Sequence, residues 1–311
     1  MTSRFSEEDT VAERIASPSE PFSPPIVVAV DGSATACHAV AWAAVDAGLH
    51  CCRLHIVTSV SIPTGYGPGV ALTDADTEWL CKDGERVLTE ANGVARVAAY
   101  GEALDITTEL VFDPIIPYLI TRSRQARMVV VGSRGLGAIR RGLLGSVSTA
   151  VTRHAHCPVT VVHSTSATDA LSSVKPVLVG VDGTENSVPA VEVAFEEASR
   201  RKVSIMALHA WSDQTSGLDV GISGWDVIHD TEDAVLAESL AGYTERYPDV
   251  SVTRVLLRDR PVRCLLDESE RAQLVVVGSH GRGGFAGILL GSTSNALLQS
   301  VECPIIVVRQ R

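Results

Sequence analysis

Apolar residues along the chain fall in short runs set between longer stretches with helical spacing. In the first half, Ile26–Val30, Leu54–Val60, Ile106–Phe112, Met128–Val131 and Val159–Val162 are such runs, and each reads as a buried strand. Between them, Ala36 to Gly48 places Ala39, Val40, Ala43 and Ala47 on one helical face. Asp74–Ala99 fits a long helix whose acidic first turn suits the positive end of its dipole. A short helix is predicted near Ile116–Arg124, and another over Ser146–His156 with Ser146 as its N-cap. Pro63–Gly69, with three glycines and two prolines, reads as a loop. The second half repeats the order, with strands near 177–181, 203–210, 251–257, 274–277 and 305–308.

The repetition extends to the residues themselves. VVVGSRGLGAIRRGLLGSVSTAVTRHAHCPVTVV at 129–162 aligns without gaps on VVVGSHGRGGFAGILLGSTSNALLQSVECPIIVV at 275–308, with 17 of 34 positions identical. VVAVDGS at 27–33 matches LVGVDGT at 178–184. The chain therefore reads as a tandem duplication: a polar tail at 1–25, a first domain at 26–163, a linker at 164–174 and a second domain at 175–311.

Alternating strands and helices imply an α/β fold with helices on both faces of a parallel sheet. Five strands per half favour two tandem doubly wound, flavodoxin-like (Rossmann-like) domains, each a five-stranded parallel sheet of order 3-2-1-4-5. In that order the first and fourth strands are neighbours at the switch point, where ligands bind beyond the carboxyl ends. The fifth strands, Val159–Val162 and Ile305–Val308, are short apolar edges that invite pairing, and are expected to meet inside one chain across a pseudo-two-fold axis.

Charge narrows the partners. A formal net charge of −11 argues against a nucleic acid held by bulk charge. No run approaches about 18 consecutive apolar residues, so no membrane span is expected. The amino-terminal stretch is acidic and lacks an apolar h-region, so it reads as a polar tail and not a signal peptide. Seven cysteines without a CxxC suggest free thiols in a reducing cytoplasm. Cys157 and Cys303, each before a proline at a strand start, read as buried core residues, and the histidines show no spacing that suggests a metal or a triad.

Chemistry concentrates after the fourth strand of each half. The loops read Gly132-x2-Gly135-x9-Gly145-Ser146 and Gly278-x2-Gly281-x9-Gly291-Ser292. Glycines permit tight turns, including positive φ, and let backbone N–H groups approach a ligand. The following helix turns its unpaired amides and positive dipole toward the same space. Ser146, Ser148, Ser292, Thr293 and Ser294 add hydroxyl donors, so the loops suit a phosphate chain. They match neither a Walker A loop nor the dinucleotide GxGxxG. Asp31 and Asp182, at the ends of the first strands, suit either a ligand contact or a turn and N-cap. Arg134 and Arg282 are candidate phosphate contacts, with Arg140 and Arg141 weaker ones, and His280 aligns with Arg134 and so is not a shared catalytic histidine. The tryptophans read as core or rim packing.

With these motifs the chain resembles the tandem universal stress proteins, of the ATP-binding kind marked by G-x2-G-x9-G-[ST], and phrases such as LLGSVS, RHAHCPV and LHAWSD are similar to two-domain mycobacterial members. The resemblance implies one ATP per domain, with or without Mg2+. It places the phosphates against Gly132, Gly135, Gly145, Ser146, Val147 and Ser148 in the first site, and against Gly278, Gly281, Gly291, Ser292, Thr293 and Ser294 in the second. The intervening loop positions Ser133, Arg134, Leu136, Gly137, Ala138, Ser279, His280, Arg282, Gly283 and Gly284 complete the implied sites. Asp31 and Asp182 would lie by the nucleoside, and Val60 and Trp211–Asp213 would border adenine. Gly180 precedes Val181-Asp182 where Ala29 stands in the first half, and that methyl group is expected to crowd the first ligand.

Three functions compete. The first is an ATP-binding regulatory protein acting in stress or growth response through an unknown protein partner, itself a homodimer of tandem-domain chains. The second is a slow ATPase or nucleotidyl-transfer enzyme, against which stands the absence of a repeated acid, His or Lys in the glycine loops. The third is a ligand-free scaffold, which the matched loops disfavour.

Overall fold

The computed structural model describes residues 23–60, 74–100, 103–135, 144–163, 172–211, 225–282 and 289–310, with side chains left aside at 225–227. Outside the described residues lie most of the amino-terminal tail and of the linker, the Pro63–Gly69 loop, and the site candidates Leu136, Gly137, Ala138, Arg140, Arg141, Asp213, Gly283 and Gly284.

The first half runs β1 (Ile26–Ala29), α1 (Ala34–Leu49), β2 (Leu54–Ser59), α2 (Asp74–Ala98), β3 (Ile106–Val111), α3 (Ile115–Arg122), β4 (Met128–Gly132), α4 (Ser146–His154) and β5 (Val159–Val162). The second runs β6 (Val177–Gly180), α5 (Val188–Arg201), β7 (Ile205–Trp211), α6 (Trp225–Arg246), β8 (Val252–Arg258), α7 (Pro261–Ser269), β9 (Leu274–Gly278), α8 (Ser292–Ser300) and β10 (Ile305–Val308). All strands join one sheet of order β3-β2-β1-β4-β5-β10-β9-β6-β7-β8. Each half thus has the order 3-2-1-4-5, with parallel pairing throughout.

The halves meet at a seam where β5 pairs antiparallel with β10, Val161 opposite Ile305 and Thr160 opposite Ile306. The expected meeting of the fifth strands is therefore present, and neither is left as an edge. Side chains lock the seam from both directions. His163, just past β5, bonds Leu298 O of α8 at 2.8 Å, and Arg309, just past β10, donates to Arg153 O of α4.

Alternate strand residues supply two cores. Val28 and Val130 face α1 and α2, while Val27, Val129 and Val131 face α3 and α4. Burial on both faces explains why the strands read as continuous apolar runs. Cys157 and Cys303 are buried thiols in the second core, as their positions suggest. Trp42 and Trp211 are buried and Trp79 is exposed, which fits packing and rim roles.

On the α1–α5 side of the seam the contact is ionic. Asp46 and His50 lie one turn apart on α1, as do Glu197 and Arg201 on α5. Asp46, His50 and Glu197 are buried and Arg201 is half-buried beside them. The bridges cross over: His50 Nε2 lies 2.9 Å from Glu197 Oε1, and Arg201 bonds Asp46. Arg201 also stacks on Trp42 of α1, and Arg127 pairs with Glu196 beside the cluster.

Candidate functional site

The site is built on the adjacency of β1 and β4, where Ala29 is paired with Val131, and of β6 and β9 in the second half. Just past β1, Asp31 Oδ1 accepts the amide of Ser33 at 3.0 Å. Gly32 takes φ +81°, a left-handed conformation that favours glycine. In the second half Asp182 Oδ1 accepts from the amide and hydroxyl of Thr184 at 2.9 and 2.8 Å, with Gly183 at φ +74°. The acids therefore close turns. They do not cap a helix, because Ser33 caps α1 by accepting from Ala36 N at 3.2 Å and Ser187 precedes α5 without a side-chain cap. The other oxygen of Asp182, Oδ2, is buried and has no hydrogen-bond partner among the described residues.

Both acids lie against the glycine loops. A Cβ on Gly135 would come 2.2 Å from Asp31 Oδ2, and one on Gly281 would come 3.3 Å from Asp182 Oδ2. Gly132, Gly135 and Gly278 are needed for closeness and not for conformation. None of Gly132, Gly135, Gly145, Gly278, Gly281 and Gly291 has positive φ, which corrects the expectation from their type. Gly132 abuts the backbone of Thr35 at the start of α1, where a Cβ would meet Thr35 C at 3.0 Å. Gly278 abuts Asn186 O in the same way, at 2.9 Å. Thr35 fastens the first loop by donating its hydroxyl to Arg134 O at 2.6 Å, a role that nothing in its sequence context signals.

Each loop then folds back to launch a helix. Gly145 N bonds Ser133 O at 2.8 Å, and Gly291 N bonds Ser279 O at 2.7 Å. These bonds hold Gly145 and Gly291 extended, so they are the N-caps, and Ser146 and Ser292 become the first helical residues. Ser146 is therefore not the cap its hydroxyl suggests. Glycine brings no side chain to the helix start, so the first amides of α4 and α8, at Ser146, Val147 and Ser148 and at Ser292, Thr293 and Ser294, face the loop uncapped. Ser148 and Ser294 are buried and donate their hydroxyls to Gly132 O and Gly278 O, both at 2.6 Å. They brace the loops, and their protons are not offered to a ligand. Ser133 Oγ is buried and unpartnered among the described residues, while Ser279 Oγ lies 3.0 Å from His280 Nδ1.

The other predicted contacts divide. Val60 is buried beneath α2, where a Cβ on Gly84 would approach its methyl group at 3.1 Å. Ala29 is half-buried against the α3–α4 core, and a Cβ on Gly180 would meet Val277 and Leu265 at 3.3 and 3.4 Å. The difference between these two positions is thus one of core packing. A polar side chain on the second strand steadies each acid's turn from behind. Thr58 Oγ1 donates to Val30 O at 2.8 Å, and His209 Nδ1 lies 2.6 Å from Val181 O.

Two other places invite a ligand and do not fit one of this kind. Asp46, His50 and Glu197 bring ligand atoms within 4.8 Å of one another, as a metal site would. Arg201 bonds both carboxylates, so a cation there would meet a guanidinium. A cavity of about 450 Å³ lined by Gly48, Cys51, Arg53, Tyr100 and Leu104 lies at the amino ends of β2 and β3, the wrong end of the sheet for the loops. Among the described residues no helix is long and apolar enough to cross a membrane.

Comparison with known proteins agrees with the duplicated geometry. The model of the universal stress protein family matches residues 24–163 and again 173–309. A universal stress protein of Mycobacterium tuberculosis is 44% identical over 290 residues, covering 92% of this chain and 97% of its own. A second from the same organism is 42% identical over 286 residues, covering 92% and 96%. The crystal structure of a universal stress protein from Archaeoglobus fulgidus superposes with a TM-score of 0.68 at 18% identity, covering 93% of this chain and 99% of that one.

Proposed function

The chain belongs to the universal stress protein family, and on that premise we propose that it is a nucleotide-binding regulatory protein that takes one ATP in each half and presents its occupancy to a protein partner. One observation carries this reading: in both halves an acid beyond the first strand lies against a glycine loop whose end is an uncapped helix N-terminus. The two ends of each cradle want opposite chemistry. Uncapped amides and a positive dipole end favour phosphate oxygens. The carboxylate repels phosphate and accepts from hydroxyls, so it suits the ribose, and Asp182 Oδ2 supplies an acceptor without a partner among the described residues.

The cradle binds and does not catalyse. Backbone amides hold a triphosphate in its ground state and transition state alike, and such uniform binding leaves the chemical step slow. The role assigned is cytoplasmic, in stress or growth response, with chains pairing as homodimers through a surface away from the seam. Mg2+ would neutralise the triphosphate without a dedicated protein ligand in either loop.

Native mass spectrometry of the full chain incubated with ATP tests the reading. Two nucleotides per chain are expected, with turnover far below 1 per second. A chain that stays empty overturns it, and turnover near 1 per second, within the ordinary enzyme range of roughly 1–1000 per second, moves the protein to the enzymes.

A further inference from the structure

The two cradles are unequal at one constellation. In the second half Arg282, the residue after Gly281, turns across the mouth of the site. Its Nε donates to Asp182 O, and a terminal nitrogen lies 3.0 Å from Glu232 Oε2 of α6 and 3.3 Å from His209 Nε2 of β7. The same nitrogen sits 3.2 Å from where a Cβ on Gly183 would be, so the guanidinium rests on the turn made by Asp182 and Gly183. Glu232 is itself held, with its Oε2 2.7 Å from His209 Nε2. Burial pushes the Glu232 carboxyl up, but its hydrogen bonds with Arg282 and His209 outweigh this and keep it below the usual carboxylate range.

None of the three residues has a counterpart in the first half. Thr58 stands where His209 does, since each bonds the carbonyl two residues before its glycine turn. Gly84 stands where Glu232 does, because Gly32 faces Val87 three residues on as Gly183 faces Val235. Leu136 aligns with Arg282 in sequence. Three linked charged or polar positions in one half are answered by three uncharged ones in the other.

From this we infer that Arg282, held by Glu232 and His209, is a specificity-determining gate of the second cradle, which makes that site select for phosphate charge more strongly than the first. The inference rests on the nucleotide-binding reading. At rest the guanidinium covers the nucleoside end, over the Asp182 turn. A nucleoside entering there displaces it from a carboxylate and a carbonyl, and only a ligand with several anionic oxygens offers equivalent partners in return. Those partners are within its swing. The Arg282 backbone follows Gly281, whose nitrogen is 3.8 Å from where a Cβ on Gly291 would lie, at the mouth of α8. Among the described residues the first cradle holds no such linked set.

Titration calorimetry of the full chain with ATP, ADP and AMP, fitted for two sites, tests the gate. The wild type should show two unequal sites, with the ratio of ATP to AMP affinity larger at one of them by about tenfold or more, the worth of one charge-assisted hydrogen bond. Arg282→Leu, which installs the residue of the first half, should raise AMP affinity at that site and bring the two ratios together. Glu232→Gln should loosen the resting contact and strengthen ATP at the same site. Two sites with equal ratios in the wild type, or ratios that Arg282→Leu leaves unchanged, overturn the gate while leaving nucleotide binding intact. Failure of every nucleotide to bind either half overturns the nucleotide reading itself, and the gate with it.

Discussion

His50 and Glu197 stand 147 residues apart in the chain and 2.9 Å apart at the seam, both buried. Burial alone would lower the His50 pKa. Its hydrogen bond with Glu197 and the nearby carboxylates of Glu196 and Asp46 outweigh burial and raise it from 6.5 to about 9. Glu196, with the His50 ring 3.6 Å away and Arg127 paired to it, is held at about 2. Asp46 moves the other way, raised by complete burial and by facing Glu197.

The sign follows from linkage. A histidine whose pKa rises on folding contributes stability that is full below its unfolded value of 6.5 and is lost as pH climbs through about 9. Glu196 contributes stability that is present above 4.5 and lost as pH falls toward 2. The melting temperature should therefore decline between pH 6.5 and 9, and His50→Gln should flatten that decline. A wild-type melting temperature constant across the window would contradict the charged contact.

The glycines separate folding from binding. Gly132→Ala drives a methyl group into the Thr35 backbone and should cost about 1–3 kcal/mol of stability with no nucleotide present. At Gly145 a Cβ would sit 3.4 Å from Ser133 O, an ordinary contact, so Gly145→Ala should cost less than about 1 kcal/mol while weakening nucleotide at the first site. Thermal melts with and without ATP distinguish the two, and equal losses in both variants without ATP would count against this division.

Asp182→Asn keeps an acceptor for the Thr184 turn but removes the carboxylate charge at Oδ2. Nucleotide affinity of the second half should fall about tenfold, the scale of a lost hydrogen bond to a charged group. The unliganded melting temperature should hardly move. Calorimetric titration reads the first quantity and a melt the second.

Bound ATP should stabilise the fold by mass action, at about 2.7 kcal/mol per site when present at 100 times its dissociation constant. A nonhydrolysable analogue should do the same, since no bond need break. An analogue that fails to raise the melting temperature while ATP succeeds would tie stabilisation to turnover.

Val161 is fully buried and faces Ile305 across the seam. Val161→Glu should cost more than about 3 kcal/mol, or part the halves, because a carboxylate there has no partner. Hydrodynamic size and melting temperature that match the wild type would show that the seam does not hold the chain together.

The strands were legible because each is buried on both faces and so written as an unbroken apolar run, and duplication made the second set a check on the first. The cradle was legible as a loop followed by a helix, but its reasons were not. Gly132 and Ser148 read as ligand contacts, but Gly132 also makes room for a neighbouring backbone and the Ser148 hydroxyl braces the loop. Such roles depend on chain segments far off in sequence, which spacing does not reveal. The seam cluster was hidden differently. An acid and a base one turn apart on a helix look like a solvent-facing pair, and the two halves use different residues, Asp with His in one and Glu with Arg in the other. His209 and Glu232 were missed because nothing in the first half repeats them.

The antiparallel seam also decides what the two sites can share. Parallel strands within each half and opposed strands between halves make the carboxyl ends of β1 and β4 point one way and those of β6 and β9 the other. The two cradles therefore open on opposite rims of a single sheet, so one small ligand cannot span them. A partner that senses both must embrace the molecule, or approach as two copies from opposite poles. Anything one rim tells the other has to pass through the middle of the sheet, along β5, β10 and the four charges beside them.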